Sequence, residues 1–329
     1  MFARFCIFSL ILIGAATVLS VRAAGPGTHA PDRFTPDSAR VTNPDASARN
    51  QRLYDSIQSK TSRRAVPRML YRMLFVKPVL DTTMSGRVTD ESRLLEPYAG
   101  RIMVGFESCR QHYKHPEKVA VTGTPVREDF FTLTKEAAKE KLGVNDGRPL
   151  IVSFWGSLGA SGMNAQMADM LALEAGKEPF HHIHGAGKSG YAAVLKALAE
   201  KGVDLKDHPS LQVREYIYDM APVMRAADLV ICRAGASTVS ELTALGVPAI
   251  MVPSPYVTNN HQEKNARALE THGGVEVLLE QNSSGQALFQ TAAGILHDDV
   301  RREAMASAMA ELGIRDAAQR IYETVQELL

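Results

Sequence analysis

The residues best suited to chemistry lie in three segments, each of which follows an apolar run. Residues 156–162 read GSLGASG, residues 233–241 read RAGASTVSE, and residues 259–266 read NNHQEKNA. Small residues let backbone N–H groups and a helix N-terminus approach an anion, and the helix dipole favours negative charge there. The first two segments are therefore candidates for a phosphate or diphosphate site.

The glycines of the first segment, Gly156, Gly159 and Gly162, are spaced G-x-x-G-x-x-G. Dinucleotide sites use G-x-G-x-x-G instead, so a nicotinamide cofactor is not expected. A plain tight turn would have the same composition. The segment alone does not separate a turn from a phosphate cradle.

In the second segment, Ser237 or Thr238 is predicted to begin a helix, and Glu241 stands three residues after Thr238. This is the spacing of a capping box, in which side chains satisfy the free N–H groups of the helix end. The same helix end could instead bind a diphosphate, with Glu241 accepting hydrogen bonds from a ribose. The residues leave both interpretations open.

The third segment is predicted to open a helix on which Gln262 and Asn265 lie one turn apart on one face. Amides donate and accept hydrogen bonds, which suits sugar hydroxyls. A solvated helix start would look similar. Its position after a predicted parallel strand favours a ligand contact.

Neither a metal nor a cofactor is expected. His182 and His184 share a face of a predicted strand without a third ligand, which favours structural or ligand-contact roles over zinc. The three cysteines, Cys6, Cys109 and Cys232, are odd in number and lack CxxC spacing, so they form neither a disulfide framework nor a zinc site. The net charge of +1 offers no clustered basic charge for nucleic acid.

The elements that must position these segments alternate regularly along the chain. Predicted strands cover 101–106, 118–122, 149–154, 180–184, 211–215, 229–232, 249–252 and 275–278. Predicted helices cover 135–142, 163–175, 191–201, 221–226 and 238–245, and further ones begin near 261 and fill the C-terminus. This alternation predicts an α/β fold with a parallel sheet, whose ligands sit at the carboxyl ends of the strands.

The N-terminal part differs in character. Residues 5–21 are apolar, which is typical of a signal peptide, a short membrane anchor, or an artefact of gene fusion or start assignment. Residues 25–62 are polar and proline-containing, and we predict a disordered linker. Residues 63–91 contain a stretch that predicts an amphipathic helix broken before Pro78, facing the core rather than a membrane.

Seven segments in this order resemble the MurG family of peptidoglycan glycosyltransferases. They are VTGTPVR (121–127), GSLGA (156–160), HGAG (184–187), YIYDM (216–220), ADLVICRAGASTVSEL (227–242), PAIMVPSP (248–255) and HQEKNA (261–266). The resemblance runs from about Ile102 to the C-terminus, and its central block is highly specific. It implies a GT-B fold, in which two Rossmann-like domains face each other across a cleft and the C-terminal one holds the UDP-sugar.

The resemblance also implies roles for individual residues. Ile217 would meet uracil through its backbone, and Glu241 would bind the ribose. The other implied contacts are Arg127, Ser157, Ala236, Ser237 and Thr238 to the diphosphate, and His261, Gln262 and Asn265 to the GlcNAc. The catalytic base is not assigned.

The chain departs from the family pattern in two places. Trp155 stands where the second glycine loop, G-G-S-x-G, has its first glycine, and the N-terminal G-G-T-G-G-H-like loop is missing. The implied domains are a signal-like or anchor segment (1–24), a linker (25–62), a remnant of the acceptor domain (63–125) and a UDP-sugar-binding domain (126–329).

The implied activity is inverting transfer of GlcNAc from UDP-GlcNAc to the C4 hydroxyl of the MurNAc unit of lipid I, which forms lipid II. The alternatives are a non-catalytic UDP-GlcNAc-binding module, the donor half of a split transferase, and a UDP-GlcNAc epimerase. The expected partners are UDP-GlcNAc, lipid I and a membrane surface. The expected location is the cytoplasmic face of the bacterial plasma membrane, peripheral or N-terminally anchored.

Overall fold

The computed structural model describes residues 78–81, 96–156, 160–177, 179–257 and 260–328. The apolar segment 5–21, the predicted linker 25–62 and the helix predicted before Pro78 lie outside the described residues. Within the described ranges, no helix is both long and apolar enough to cross a membrane.

A small parallel sheet comes first in the chain. It consists of β1 (Pro78–Asp81), β2 (Arg101–Val104) and β3 (Val119–Val121), in the order β1-β2-β3. β2 and β3 confirm two predicted strands. β1 was not predicted, because Pro78 was interpreted as a helix breaker. Proline lacks an N–H, and it is tolerated here as the first residue of an edge strand.

A six-stranded parallel sheet follows. Its strands are β4 (Leu150–Phe154), β5 (His181–Gly185), β6 (Leu211–Arg214), β7 (Leu229–Cys232), β8 (Ala249–Met251) and β9 (Val275–Val277), in the order β6-β5-β4-β7-β8-β9. The strand order reverses between β4 and β7. Such a switch point is where open α/β sheets bind ligands.

The helices alternate with these strands, as predicted. They are α1 (Lys135–Leu142), α2 (Ser161–Ala175), α3 (Tyr191–Glu200), α4 (Met220–Ala226), α5 (Ala236–Leu245), α6 (His261–Thr271), α7 (Gly285–Leu296), α8 (Asp299–Glu311) and α9 (Ala317–Gln326). Alternate strand residues face opposite layers. Val152 and Val230 pack with α1, α4, α5 and α6, and Ile151 and Ile231 pack with α2, α3 and α7.

At the amino end of the large sheet, Asp228 holds α1 in place. Its carboxylate lies 2.7 Å from Lys135 Nζ and 2.6 Å from Lys139 Nζ. It also accepts a hydrogen bond from the Leu150 backbone N–H at 2.8 Å. This anchor lies at the opposite end of the strands from their carboxyl edge.

The two sheets are connected by two neighbouring passages of the chain. One is residues 122–134, and the other precedes α9, whose Glu327 lies 3.4 Å from Arg101 of β2. The passages touch, since a Cβ on Gly123 would lie 2.8 Å from Ile314 Cβ. The division into domains at 63–125 and 126–329 stays a prediction.

Candidate functional site

The three candidate segments meet at the carboxyl edge of the switch point. β4 and β8 both pair with β7, which aligns Phe154 with Cys232 and Cys232 with Met251. The segments that follow these strands therefore leave the sheet side by side. Gly156 adopts a φ of +86°, a left-handed conformation that glycine reaches without strain, and it turns the chain away from β4.

The N-terminus of α5 is the centre of the site. The helix begins at Ala236, its N-cap is Gly235, and no side chain of the described residues caps it. The predicted capping box of Thr238 and Glu241 is therefore wrong: Gly235 takes the cap position, so Ser237 and Thr238 lie inside the first turn. The free N–H groups of that turn carry about half a positive charge and can bind an anion.

Glu241 lies about one turn further along α5 and is half-buried. Burial raises the pKa of its carboxyl group, the Arg127 guanidinium opposes that rise, and Asp129 adds to it. Arg127, on the passage from the small sheet, is exposed and lies 3.3 Å from Asp129 and 5.1 Å from the centre of the Phe130 ring. The Arg127 guanidinium thus acts electrostatically on the Glu241 carboxyl group.

The N-terminal turn of α6 lies beside the turn that precedes α5. The Asn265 side chain is 1% exposed, and its Nδ2 donates to the Ala234 carbonyl oxygen at 3.0 Å. Gln262 Oε1 accepts from the Ser254 backbone N–H at 2.9 Å. Both amides therefore tie α6 to the segments that follow β7 and β8, a structural use that the sequence did not indicate. His261 is half-buried in the same turn.

Ile217 follows β6 at the same edge. The residue is 3% exposed, and its side chain faces Gly185, where an added Cβ would lie 3.2 Å from Ile217 Cδ1. Tyr216 and Tyr218 are exposed on either side of it, with ring centres 4.9 Å apart. Ser157 lies outside the described residues, so its role stays a prediction.

Arg233 is a site residue to which sequence reasoning gave no role. It follows β7 directly, and its Nη1 donates to the Val252 carbonyl oxygen at 2.9 Å. The Glu280 carboxylate lies 2.7 Å from the guanidinium but off the hydrogen-bond direction, so this contact is an ion pair. The guanidinium stands 5.8 Å from the centre of the Trp155 ring. The sequence feature that could have identified Arg233 is its place as a basic residue between the end of a strand and a glycine turn.

Trp155 occupies the position that departs from the family pattern. It is 4% exposed, and its Nε1 has no hydrogen-bond partner within the described part of the chain. The indole packs in the apolar layer around α2 and α7, directly before Gly156 in the chain.

A second concave region lies on the other side of α6. A cleft of about 540 Å³ separates the segment after β2, with Phe106 and Glu107, from Lys264 and Arg267 of α6. The small sheet and the large sheet thus face each other here. Across the described ranges, no group of three or more His, Cys, Asp or Glu residues could hold a metal ion.

Comparison with known proteins identifies the family of the chain. Residues 150–321 match the model of the glycosyltransferase family 28 C-terminal domain. The UDP-N-acetylglucosamine–N-acetylmuramyl-(pentapeptide) pyrophosphoryl-undecaprenol N-acetylglucosamine transferase of Acetivibrio thermocellus is 39% identical over 238 residues, which cover 72% of this chain and 63% of that relative. The chain therefore spans less than two thirds of the length of this relative.

Two solved structures have a similar fold. The crystal structure of Acinetobacter baumannii MurG is 25% identical, with a TM-score of 0.60 over 80% of this chain and 71% of that one. A UDP-GlcNAc 2-epimerase from Neisseria meningitidis, bound to UDP-GlcNAc, is 17% identical, with a TM-score of 0.53 over 78% of this chain and 72% of that one. The second likeness concerns the fold alone. Together with the family match, the first confirms the predicted GT-B-like class and the resemblance to the MurG family.

Proposed function

The chain belongs to glycosyltransferase family 28, and we propose that it is an inverting N-acetylglucosaminyltransferase of peptidoglycan synthesis. It moves GlcNAc from UDP-GlcNAc to the C4 hydroxyl of the MurNAc unit of lipid I and forms lipid II. One observation carries the proposal: the uncapped N-terminus of α5 lies at the switch point, on the helix that carries Glu241, whose carboxyl group feels the Arg127 guanidinium. The relative from Acetivibrio thermocellus carries a name that states this activity.

The donor binds along the carboxyl edge of the large sheet. Uracil meets the backbone of Ile217, and the ribose hydroxyls donate to the Glu241 carboxylate. The diphosphate lies at the first turn of α5, and its contacts are Arg127, Ser157, Ala236, Ser237 and Thr238. The GlcNAc reaches α6, where its contacts are His261, Gln262 and Asn265.

The chemistry is a single displacement. The acceptor hydroxyl attacks the anomeric carbon, the bond from that carbon to the β-phosphate oxygen breaks, and the configuration inverts. Negative charge develops on the departing diphosphate, where the N–H groups of α5 and the Arg127 guanidinium stabilise it. The acceptor hydroxyl loses its proton to a general base, which we assign to no residue.

A donor-binding module, or the donor half of a split transferase, is the second candidate. The observation that favours it is the matched length, which is 63% of the relative from Acetivibrio thermocellus. Such a chain would bind UDP-GlcNAc through the same residues and would transfer GlcNAc only with a partner, or not at all.

Two measurements on the full chain separate these candidates. Calorimetry with UDP tests the donor site, and labelled UDP-GlcNAc with lipid I tests transfer. Binding with transfer supports the enzyme, binding without transfer supports the module, and transfer only after a partner is added supports the split form. Release of ManNAc or UDP-ManNAc from UDP-GlcNAc would instead identify an epimerase.

We place the protein at the cytoplasmic face of the bacterial plasma membrane, peripheral or N-terminally anchored, because the proposed donor is made in the cytoplasm. Cell fractionation with protease protection of the intact membrane tests this. Recovery of the domain on the external side of the plasma membrane would contradict the placement.

A further inference from the structure

A buried chain of polar side chains connects α2 to strands β4 and β5. Its five members, none more than 3% exposed, are Ser153, Asn164, Glu174, His182 and His184. The contacts are Glu174 Oε2 to His182 Nδ1 (2.8 Å), His182 Nε2 to Ser153 Oγ (2.8 Å), Ser153 Oγ to His184 Nδ1 (2.8 Å), His184 Nε2 to Asn164 Oδ1 (3.3 Å), and Asn164 Nδ2 to the Ala186 carbonyl oxygen (2.8 Å). The series is continuous from the last turn of α2 to its first.

The hydrogen bonds in this series run in one direction. Asn164 Nδ2 donates to the Ala186 carbonyl oxygen, because the reverse amide orientation would set two oxygens against each other. Asn164 Oδ1 therefore accepts from His184 Nε2–H. Burial, together with the neighbouring His182, lowers the pKa of His184 to about 3. The neutral ring then accepts at Nδ1 from the Ser153 hydroxyl.

The same donor-to-acceptor order continues toward Glu174, at the other end of the series. The Ser153 hydroxyl donates to His184 Nδ1, so its oxygen accepts from His182 Nε2–H. His182 Nδ1 makes its hydrogen bond with the Glu174 carboxyl group. Each member of the network thus has a hydrogen-bond partner inside the protein.

The first-turn end of the series lies next to the N-cap of α2. Asn164 is bonded through its backbone N–H to the Ala160 carbonyl oxygen at 2.9 Å, and the N-cap of α2, Ala160, has no side-chain cap. A Cβ on Gly190 would lie 2.0 Å from Asn164 Nδ2, so the turn after β5 closes tightly over this amide. The start of α2 is therefore held from inside the protein.

Hydrogen bonds restrict the position of α2 more narrowly than apolar contacts do. Met163, Met167 and Leu171 also pack α2 on the sheet, but apolar contacts allow a helix to slide or rotate by small amounts. Hydrogen bonds tolerate little misalignment. We propose that this network fixes α2 along the sheet and so sets the position of the first turn of α2 against the donor diphosphate, with Ser153, His184 and Asn164 as positioning residues. The proposal rests on the proposed function.

The test compares UDP with uridine, because uridine lacks the diphosphate. Ser153→Ala breaks the network at its middle, and Asn164→Ala breaks it at the first turn of α2. We expect UDP affinity to fall about tenfold in both variants, the loss of one misplaced charge-assisted hydrogen bond to the diphosphate. Uridine affinity, followed by ligand-observed NMR, stays unchanged. Thr324→Ala is the matched control, since it removes a largely buried hydroxyl on α9, away from the network.

The outcomes separate this proposal from the one it rests on. If the wild-type protein binds neither UDP nor uridine, the proposed function fails, and the positioning role fails with it. If wild-type binds UDP and both variants bind it equally well, only the positioning role is overturned. Equal losses for UDP and uridine, or loss of folding in both variants by thermal unfolding, would also overturn it, because a purely structural network gives those results.

Discussion

Replacing Glu241 with glutamine separates the two roles that its environment suggests. The side chain keeps its size and its hydrogen-bonding oxygen but loses its charge. Burial raises the pKa of this carboxyl group, so the ionised form is held in the folded protein at a cost that Arg127 only partly offsets. A residue kept charged in such a place is expected to serve binding rather than stability.

The magnitude follows from the kind of hydrogen bond that is lost. A bond to a charged group contributes about 1.5–3 kcal/mol, and a neutral one contributes about 0.5–1.5 kcal/mol. Glu241→Gln exchanges one for the other, so the loss is about 1–1.5 kcal/mol, and UDP-GlcNAc affinity falls about 5- to 10-fold. The free energy of unfolding at neutral pH stays equal or rises, because the substitution removes a charge that burial disfavours.

The pH dependence gives a second signature. When the pKa of an acid is higher in the folded than in the unfolded state, the folded state binds the proton more tightly. The free energy of unfolding therefore falls as the pH rises through the folded pKa and the carboxylate forms. The carboxylate is also the form that accepts from the ribose. Wild-type affinity therefore falls on acidification at a higher pH than an ordinary glutamate would cause, and the Glu241→Gln variant lacks this step.

Calorimetry with UDP-GlcNAc between pH 5 and 8 is the assay. UDP-GlcNAc is preferred to UDP, because a terminal phosphate titrates near pH 6 and would obscure the step. Glu200→Gln, at an exposed position of α3, is the control for charge alone. A Glu241→Gln variant with unchanged affinity and a lowered melting temperature would refute the reasoning and make Glu241 a structural residue.

Three further predictions concern other parts of the molecule. Asp228→Asn weakens the anchor of α1. Burial alone would raise the pKa of the Asp228 carboxyl group, but its two lysines and the Leu150 N–H outweigh burial, so the pKa is lowered. The stabilisation by the carboxylate is therefore present above the unfolded pKa and is lost as the pH falls through the folded pKa. We expect a loss of about 1–3 kcal/mol in urea unfolding with UDP affinity unchanged, and a loss of affinity would contradict the placement of the site at the other edge. Trp155 is the single tryptophan and directly follows β4 at the carboxyl edge of the large sheet, so UDP should change its emission; an unchanged spectrum at saturating UDP would count against a diphosphate at that edge. Asn265→Leu leaves the buried Ala234 carbonyl oxygen unpaired, which costs about 1–3 kcal/mol of stability by thermal unfolding, and it should weaken UDP-GlcNAc more than UDP; equal weakening would make its role structural.

The strand and helix alternation could be predicted because hydrophobic periodicity is a local property. The capping box failed for a local reason too: Thr238 and Glu241 have the right spacing, but the turn after β7 places the cap at Gly235. β1 was missed because a proline that breaks a helix can also begin an edge strand.

Other features depend on contacts between distant parts of the chain. The sequence indicated a structural or ligand-contact role for His182 and His184, and the structure gives them a buried hydrogen-bonded one. Their partners could not be predicted, because Ser153 lies on the neighbouring strand and Asn164 and Glu174 lie at opposite ends of α2. The hydrogen bond from Asn265 to Ala234, 31 positions away, could not be predicted for the same reason.

Position 123 is closed to any residue but glycine. Its φ of +76° would strain a side chain, and an added Cβ would lie 2.8 Å from Ile314 Cβ and 3.2 Å from Ala317 Cβ. A larger residue would therefore push the passage before α9 away from residues 122–134, which it also meets where the Arg315 guanidinium stands 5.4 Å from the centre of the Phe131 ring. The spacing between the two passages that join the small and large sheets thus depends on the absence of one methyl group.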